Sequence, residues 1–156
     1  MKIRLLAVGE RMPAWVDAGF AEYCKRLPPE FSLQLQSVPL AQRGKNSNIE
    51  QCVKKEAEAL LQQLGRNDYI VALEVGGKAL NTRSLADRLG RIRDAGQHLS
   101  LLVGGPDGLG PECRQRAHEQ WSLSPLTLPH TLVRIVVAEQ IYRAWTLLQG
   151  HPYHRD

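Results

Sequence analysis

Residues 69–75 and 99–103 are apolar almost throughout, interrupted only by Glu74 in the first run and Ser100 in the second. A strand with one wet face alternates apolar and polar side chains, whereas a short unbroken apolar run must be covered on both faces. Two such runs in 156 residues call for a sheet with helices above and below it. The rest of the sequence supplies them, because strand and helix patterns alternate along the chain.

Residues 2–8 are strand-like, and the apolar stretch there is too short for a secretion signal. After Pro13, Trp15, Gly19, Phe20, Tyr23 and Leu27 recur at helical spacing until Pro28-Pro29. Phe31, Leu33 and Leu35 then alternate with Ser32, Gln34 and Gln36, as in a half-exposed strand. Ser47 with Glu50 three residues on has the form of a capping box before a helix carrying Ile49, Val53, Ala57, Leu60, Leu61 and Leu64, which Gly65 ends. Asn81 or Thr82 caps a helix with Leu85, Leu89 and Ile92, and Gly96 closes it. A short helix starts near Pro111, a fifth strand is expected over residues 122–128, and a long helix runs from Pro129 to Gln149. Five strand-helix units predict an α/β class, with a mainly parallel sheet flanked by helices in a single domain over residues 1–156.

The long helix is apolar on nearly all sides, so it is either deeply internal or carries a dimer interface on its outer face. No apolar run is long enough to span a membrane, which predicts a cytoplasmic protein without a membrane partner. Cys24, Cys52 and Cys113 lack the spacing of a disulfide framework or zinc site and read as reduced structural thiols, and no metal is expected. The net charge of +4 favours a polyanionic partner, but the basic residues are scattered. Arg4, Lys25, Arg43, Lys45, Arg114 and Arg116 are the candidates for phosphate contacts.

In sheets of this kind ligands bind beyond the carboxyl ends of the strands. Three loops there have unusual chemistry: Gly76-Gly77-Lys78, Gly104-Gly105-Pro106-Asp107-Gly108, and the segment around Thr127-Leu128-Pro129-His130. The second has neither the Gly-x-Gly-x-x-Gly spacing nor a Gly-Lys-Ser/Thr triplet, which disfavours phosphate cradling and a flavodoxin-like module. Adjacent glycines let bare backbone approach a ligand, although a Gly-Gly pair alone equally describes a tight turn. Nucleophile elbows, His-Glu-x-x-His helices and calcium loops are absent from the sequence, which argues against hydrolase and metalloenzyme classes. The tail Gly150-His151-Pro152-Tyr153-His154-Arg155-Asp156 is either a solvated end or a set of groups that stack on an unpaired base and hold phosphate.

Several of these segments together carry a specific resemblance: Arg43-Gly44-Lys45-Asn46, Leu101-Leu102-Val103-Gly104-Gly105-Pro106-Asp107-Gly108-Leu109, Trp121-Ser122-Leu123-Ser124-Pro125-Leu126-Thr127-Leu128-Pro129-His130, Glu139-Gln140-Ile141-Tyr142-Arg143-Ala144-Trp145 and His151-Pro152-Tyr153-His154-Arg155. From end to end the chain resembles the bacterial ribosomal RNA large-subunit methyltransferase H family of the SPOUT superfamily. The resemblance implies a sheet with a C-terminal trefoil knot, a homodimer, and S-adenosylmethionine as methyl donor. It implies methylation of N3 of a pseudouridine in a 23S ribosomal RNA stem-loop at the subunit interface of the assembled ribosome. Transferred residue by residue, the donor site takes Leu73, Gly104, Gly105, and Leu123, Ser124, Pro125, Leu126, Thr127 and Leu128. Pro125 departs from the small residue expected there and has no N–H to offer the donor's adenine. For removal of the N3 proton and stabilisation of charge on the base, the candidates are His154, Tyr153 and His130, with Arg143 and Arg155; Glu139 pairs with Arg143 one helical turn away. A ribosome-docking protein that keeps the fold without catalysis is the rival from another class.

Overall fold

The computed structural model describes residues 1–154. Five strands, β1 (Lys2–Val8), β2 (Ser32–Val38), β3 (Asp68–Ala79), β4 (His98–Val103) and β5 (Glu119–Ser122), form one sheet in the order β2-β1-β4-β3-β5. Every pairing is parallel. The helices are α1 (Ala14–Cys24), α2 (Ile49–Leu61), α3 (Thr82–Asp94), α4 (Pro111–Arg116) and α5 (His130–Gln149).

The period-2 geometry of strands divides the apolar residues between the two faces. Ile3, Leu5 and Ala7 of β1, Val71 of β3, and Leu99, Leu101 and Val103 of β4 pack with α1, α3 and α5. Leu6, Val8, Ile70, Ala72 and Leu102 point the other way, towards Ala57 and Leu60 of α2 and Cys113 of α4. The continuous apolar runs are thus covered on both sides, as their composition requires.

Helix α5 is gripped on its inner side by α1 and α3: a side chain at Gly19 would come 2.9 Å from Ile135, and one at Gly90 would touch Leu148 at 3.4 Å. Val137, Ala138, Ile141 and Ala144 are buried there, while Leu132 at its start and Trp15 on α1 remain largely exposed. Burial pushes the thiols of Cys24 and Cys113 up to about 11, in keeping with unreactive structural cysteines.

Three expectations are corrected. Helix α2 is capped by Asn48, whose side chain accepts from the Glu50 N–H, while Ser47 accepts from Gly44 N–H within the preceding loop. It ends at Leu61, before Leu64 and Gly65. The fifth strand covers 119–122 instead of 122–128. Beyond Ser122 local bonds replace the ladder: Ser122 Oγ donates to the Ser124 carbonyl at 3.0 Å and Leu126 N–H to Ser124 Oγ at 3.0 Å, while Pro125 has no N–H to pair.

The amino-end half of the α2-side face holds a polar group. Arg4 of β1 pairs with Asp68 at 2.5 Å, and Ser100 and Gly65 N–H donate to the same carboxylate oxygen at 2.7 and 2.8 Å. Desolvation raises the Asp68 pKa, but the bonds from Gly65, Ser100 and Arg4 outweigh it and leave it lowered. A carboxyl whose folded pKa lies below its unfolded value stabilises the fold above the unfolded pKa and loses that contribution as pH falls through the folded one. We expect Asp68→Asn to cost about 3 kcal/mol at neutral pH and to flatten the acid side of the stability profile in urea titrations. A variant with unchanged neutral-pH stability would show that this network is dispensable.

Candidate donor pocket and C-terminal cluster

The middle of β3 where its pairing with β5 breaks, the carboxyl end of β4 and the segment 123–129 line a cavity of about 370 Å³. That size suits a small organic ligand. Leu73, Gly104, Gly105, Leu123, Ser124, Leu126, Thr127 and Leu128, all proposed from sequence, line it together with His130. Pro125 is exposed and is not among the lining residues. Glu74, Val103, Leu109 and Val133 also contribute to the wall and were not singled out as site residues from sequence.

Each wall has a local cause. At Gly104 an added Cβ would lie 2.3 Å from the carbonyl carbon of Gly108 and 2.5 Å from Leu109 N, so any side chain would force the loop open. Gly108 has φ +82°, and its N–H donates to Gly105 O at 3.0 Å, closing the turn. The glycines therefore make a tight turn and a cavity wall at once. In the β3 wall, pairing with β5 breaks between Leu73 and Lys78. Residues 74–77 leave the ladder there, and Gly77 lies so close to Gln120 and Trp121 that a Cβ would meet their backbone at 2.8 Å.

Arg43 anchors the glycine loop from outside. Its guanidinium bonds the buried Glu56 at 2.5 Å and Asp107 at 2.8 Å, and its pKa is raised chiefly by the hydrogen bond to Glu56. Four of the six proposed phosphate contacts are engaged in ion pairs: Arg4 with Asp68, Lys25 with Glu22, Arg43 with Glu56 and Asp107, and Arg114 with Glu74. Lys45 and Arg116 are exposed and better placed for a polyanion.

The other catalytic candidates lie elsewhere. Tyr153 and His154 form a short 3₁₀ turn (Pro152–His154) docked on the second half of α5. The Arg143 guanidinium stands 4.9 Å over the Tyr153 ring, bonds Glu139 at 2.6 Å and donates to the His154 carbonyl at 3.3 Å. Tyr153 donates its hydroxyl to Glu139 at 3.2 Å and meets Tyr142 edge-on. Burial, with the Glu139 charge beside it, raises the Tyr153 pKa and disfavours a phenolate. Nδ1 of His154 is buried with no hydrogen-bond partner among the described residues. Arg155 lies outside the described residues. His130 and Arg143 are separated by about 20 Å of helix, so one chain does not unite the cavity with the tail.

Gly104→Ala should lower stability by about 1–3 kcal/mol in thermal unfolding, because backbone must move to admit the methyl group. The crystal structure of the variant should show residues 104–108 displaced into the cavity or away from it. An unchanged loop at full stability would contradict the close approach.

Comparison with known proteins is consistent with this architecture. The family model described as predicted SPOUT methyltransferase matches residues 1–154. The chain is 55% identical over 156 residues to a Hahella chejuensis protein named ribosomal RNA large subunit methyltransferase H, covering all of both chains. Proteins of that name from Marinomonas sp. and Pseudomonas fluorescens are 52% and 54% identical, each match covering 99% of this chain and all of the relative. In fold the chain resembles a probable methylase family protein from Haemophilus influenzae, with TM-score 0.60 at 12% identity, over 99% of this chain and 70% of that one. It also resembles a probable methyltransferase from Bordetella pertussis, with TM-score 0.56 at 14% identity, over 91% and 95% of the two chains. The chain belongs to the SPOUT methyltransferase family.

Proposed function

We propose that the protein transfers a methyl group from S-adenosylmethionine to N3 of a pseudouridine in 23S ribosomal RNA, on the assembled ribosome in the cytoplasm. The observation that carries this proposal is the cavity between the break in β3 and the end of β4, whose mixture of leucines and bare glycine-loop backbone suits an adenosine and a methionine tail. The name printed for the 52–55% identical relatives supports a large-subunit RNA substrate. On this proposal residues 1–156 act as one unit, with the C-terminal segment threaded through the knot that the family implies.

Bound S-adenosylmethionine would supply an electrophilic methyl group on a cationic sulfur, so the residues of the chain need no metal to make the carbon reactive. Their task is alignment: the glycine loop and residues 123–128 fix the donor, and the RNA base must meet it in line. Leu73 and Leu123 would exclude water from the wall, and the bare backbone of Gly104 and Gly105 lets the ligand approach closely. His154 is the acceptor we propose for the N3 proton, through Nε2 because Nδ1 is buried, whereas the Tyr153 hydroxyl is committed to Glu139. Arg143, oriented by Glu139, would stabilise negative charge on the ring carbonyls, a role Arg155 could share.

Because the tail cluster and the cavity are distant within one chain, the complete site is proposed to form in a homodimer, with the tail of one protomer meeting the cavity of its partner. The exposed Leu132 and Trp15 flank the start of α5 and suit such an interface.

Two experiments test this function. Mass spectrometry of ribosomal RNA from a deletion strain should show loss of one methyl group at a large-subunit pseudouridine; an unchanged methylation map would refute the assignment. Mixed dimers of a chain truncated before Tyr153 with one carrying Gly104→Ala should regain activity, because one intact cavity faces one intact tail. Inactive mixtures of well-folded chains would place both parts of the site in a single protomer.

A further inference from the structure

Among the described residues, Glu74 is the one carboxylate lining the cavity, and no lysine or arginine lines it. The break in the β3–β5 ladder after Leu73 is what frees Glu74 from strand pairing and puts it in the wall beside Leu73. Its side chain is about one quarter exposed, at 24%. Arg114 holds it from one side: Nη1 reaches Oε1 at 3.4 Å while donating a shorter bond of 2.7 Å to the Leu109 carbonyl. No hydrogen bond among the described residues engages Oε2. The other acid near the loop, Asp107, is engaged by Arg43 and is not part of the lining.

An anionic group in a largely apolar cavity favours a cationic ligand over a neutral one of the same shape. The proposed donor and its product differ in this respect. When the methyl carbon leaves sulfur with the bonding pair staying behind, a positively charged sulfonium becomes an uncharged thioether. Adenine, ribose, ammonium and carboxylate are the same in both.

We propose that Glu74 is a specificity-determining residue that reads the positive charge on the donor's sulfur, so that the cavity holds the charged donor more tightly than the neutral product. Arg114 opposes it, tempering the field of the carboxylate while fixing its position. The proposal rests on the cavity being the donor site. It adds that spent donor is released because the charge Glu74 recognises has gone.

Calorimetric titration of the full chain with S-adenosylmethionine and, separately, with S-adenosylhomocysteine tests it. The ratio of the two dissociation constants isolates the methyl group and its charge from every shared contact. Glu74→Gln should reduce the preference for the charged ligand by about tenfold, nearly all of it through weaker S-adenosylmethionine binding. Arg114→Gln should shift the ratio the opposite way by about threefold, and it carries the test by itself if Glu74→Gln does not fold. Equal weakening of both ligands by Glu74→Gln would make the carboxylate a reader of the shared ribose or ammonium and overturn the proposal. So would an Arg114→Gln ratio that stays put or moves with that of Glu74→Gln. Failure of the unmodified protein to bind S-adenosylmethionine at all would instead refute the cavity as donor site.

Discussion

Strand β4 sits in the middle of the sheet, and its five residues 99–103 are each at most 7% exposed. A strand so placed has to be covered on both faces, which requires parallel neighbours joined by helical crossovers. Helices α1, α3 and α5 on one face and α2 and α4 on the other meet that requirement. The same burial fixes where the cavity lies. As β4 emerges at its carboxyl end the apolar run gives way to Gly104, and the chain folds back so tightly on Gly108 that no side chain fits. Core packing and glycine loop are therefore one continuous piece of backbone, steadied from outside by Arg43 between Glu56 and Asp107.

Helix α5 links the cavity to the tail cluster. Its first turn supplies His130 and Val133 to the cavity, and its middle holds the Glu139–Arg143 pair on which Tyr153 and His154 dock. A rigid helix keeps His130 and Arg143 apart by about 20 Å, since each residue adds only 1.5 Å of rise. Association of two protomers is the simplest way to bring a cavity and a tail cluster together, which gives the proposed dimer a catalytic purpose beyond burying apolar surface.

Much of this architecture was legible in the sequence because it follows from periodicity. The runs at 69–75 and 99–103, the alternation around Leu33 and the long apolar helix each depend on burial patterns that local composition records. Residues 122–128 misled for a physical reason: Leu123, Leu126 and Leu128 look like strand residues, but Ser124 captures the Leu126 N–H and Pro125 lacks one, so the segment lines a cavity instead of extending the sheet. The Asn48 cap was missed because Ser47 has an equally good side chain and spends it on the Gly44 turn. Glu74 carried no signal of its own, since the break in β3 that places it in the wall arises from the approach of Gly77 to β5. Nor could spacing tell which arginines would be used up in ion pairs; that is decided by partners far away in sequence, such as Asp68 for Arg4 and Asp107 for Arg43.

On the proposed function the glycine loop, Leu73 of β3 and residues 123–128 together hold the methyl donor. A crystal structure of the protein grown with S-adenosylmethionine is the decisive test. The adenosine should lie enclosed between Gly104 and Leu128, with Leu73 against it. Density for the ligand at any other place, with this cavity filled only by water, would contradict it.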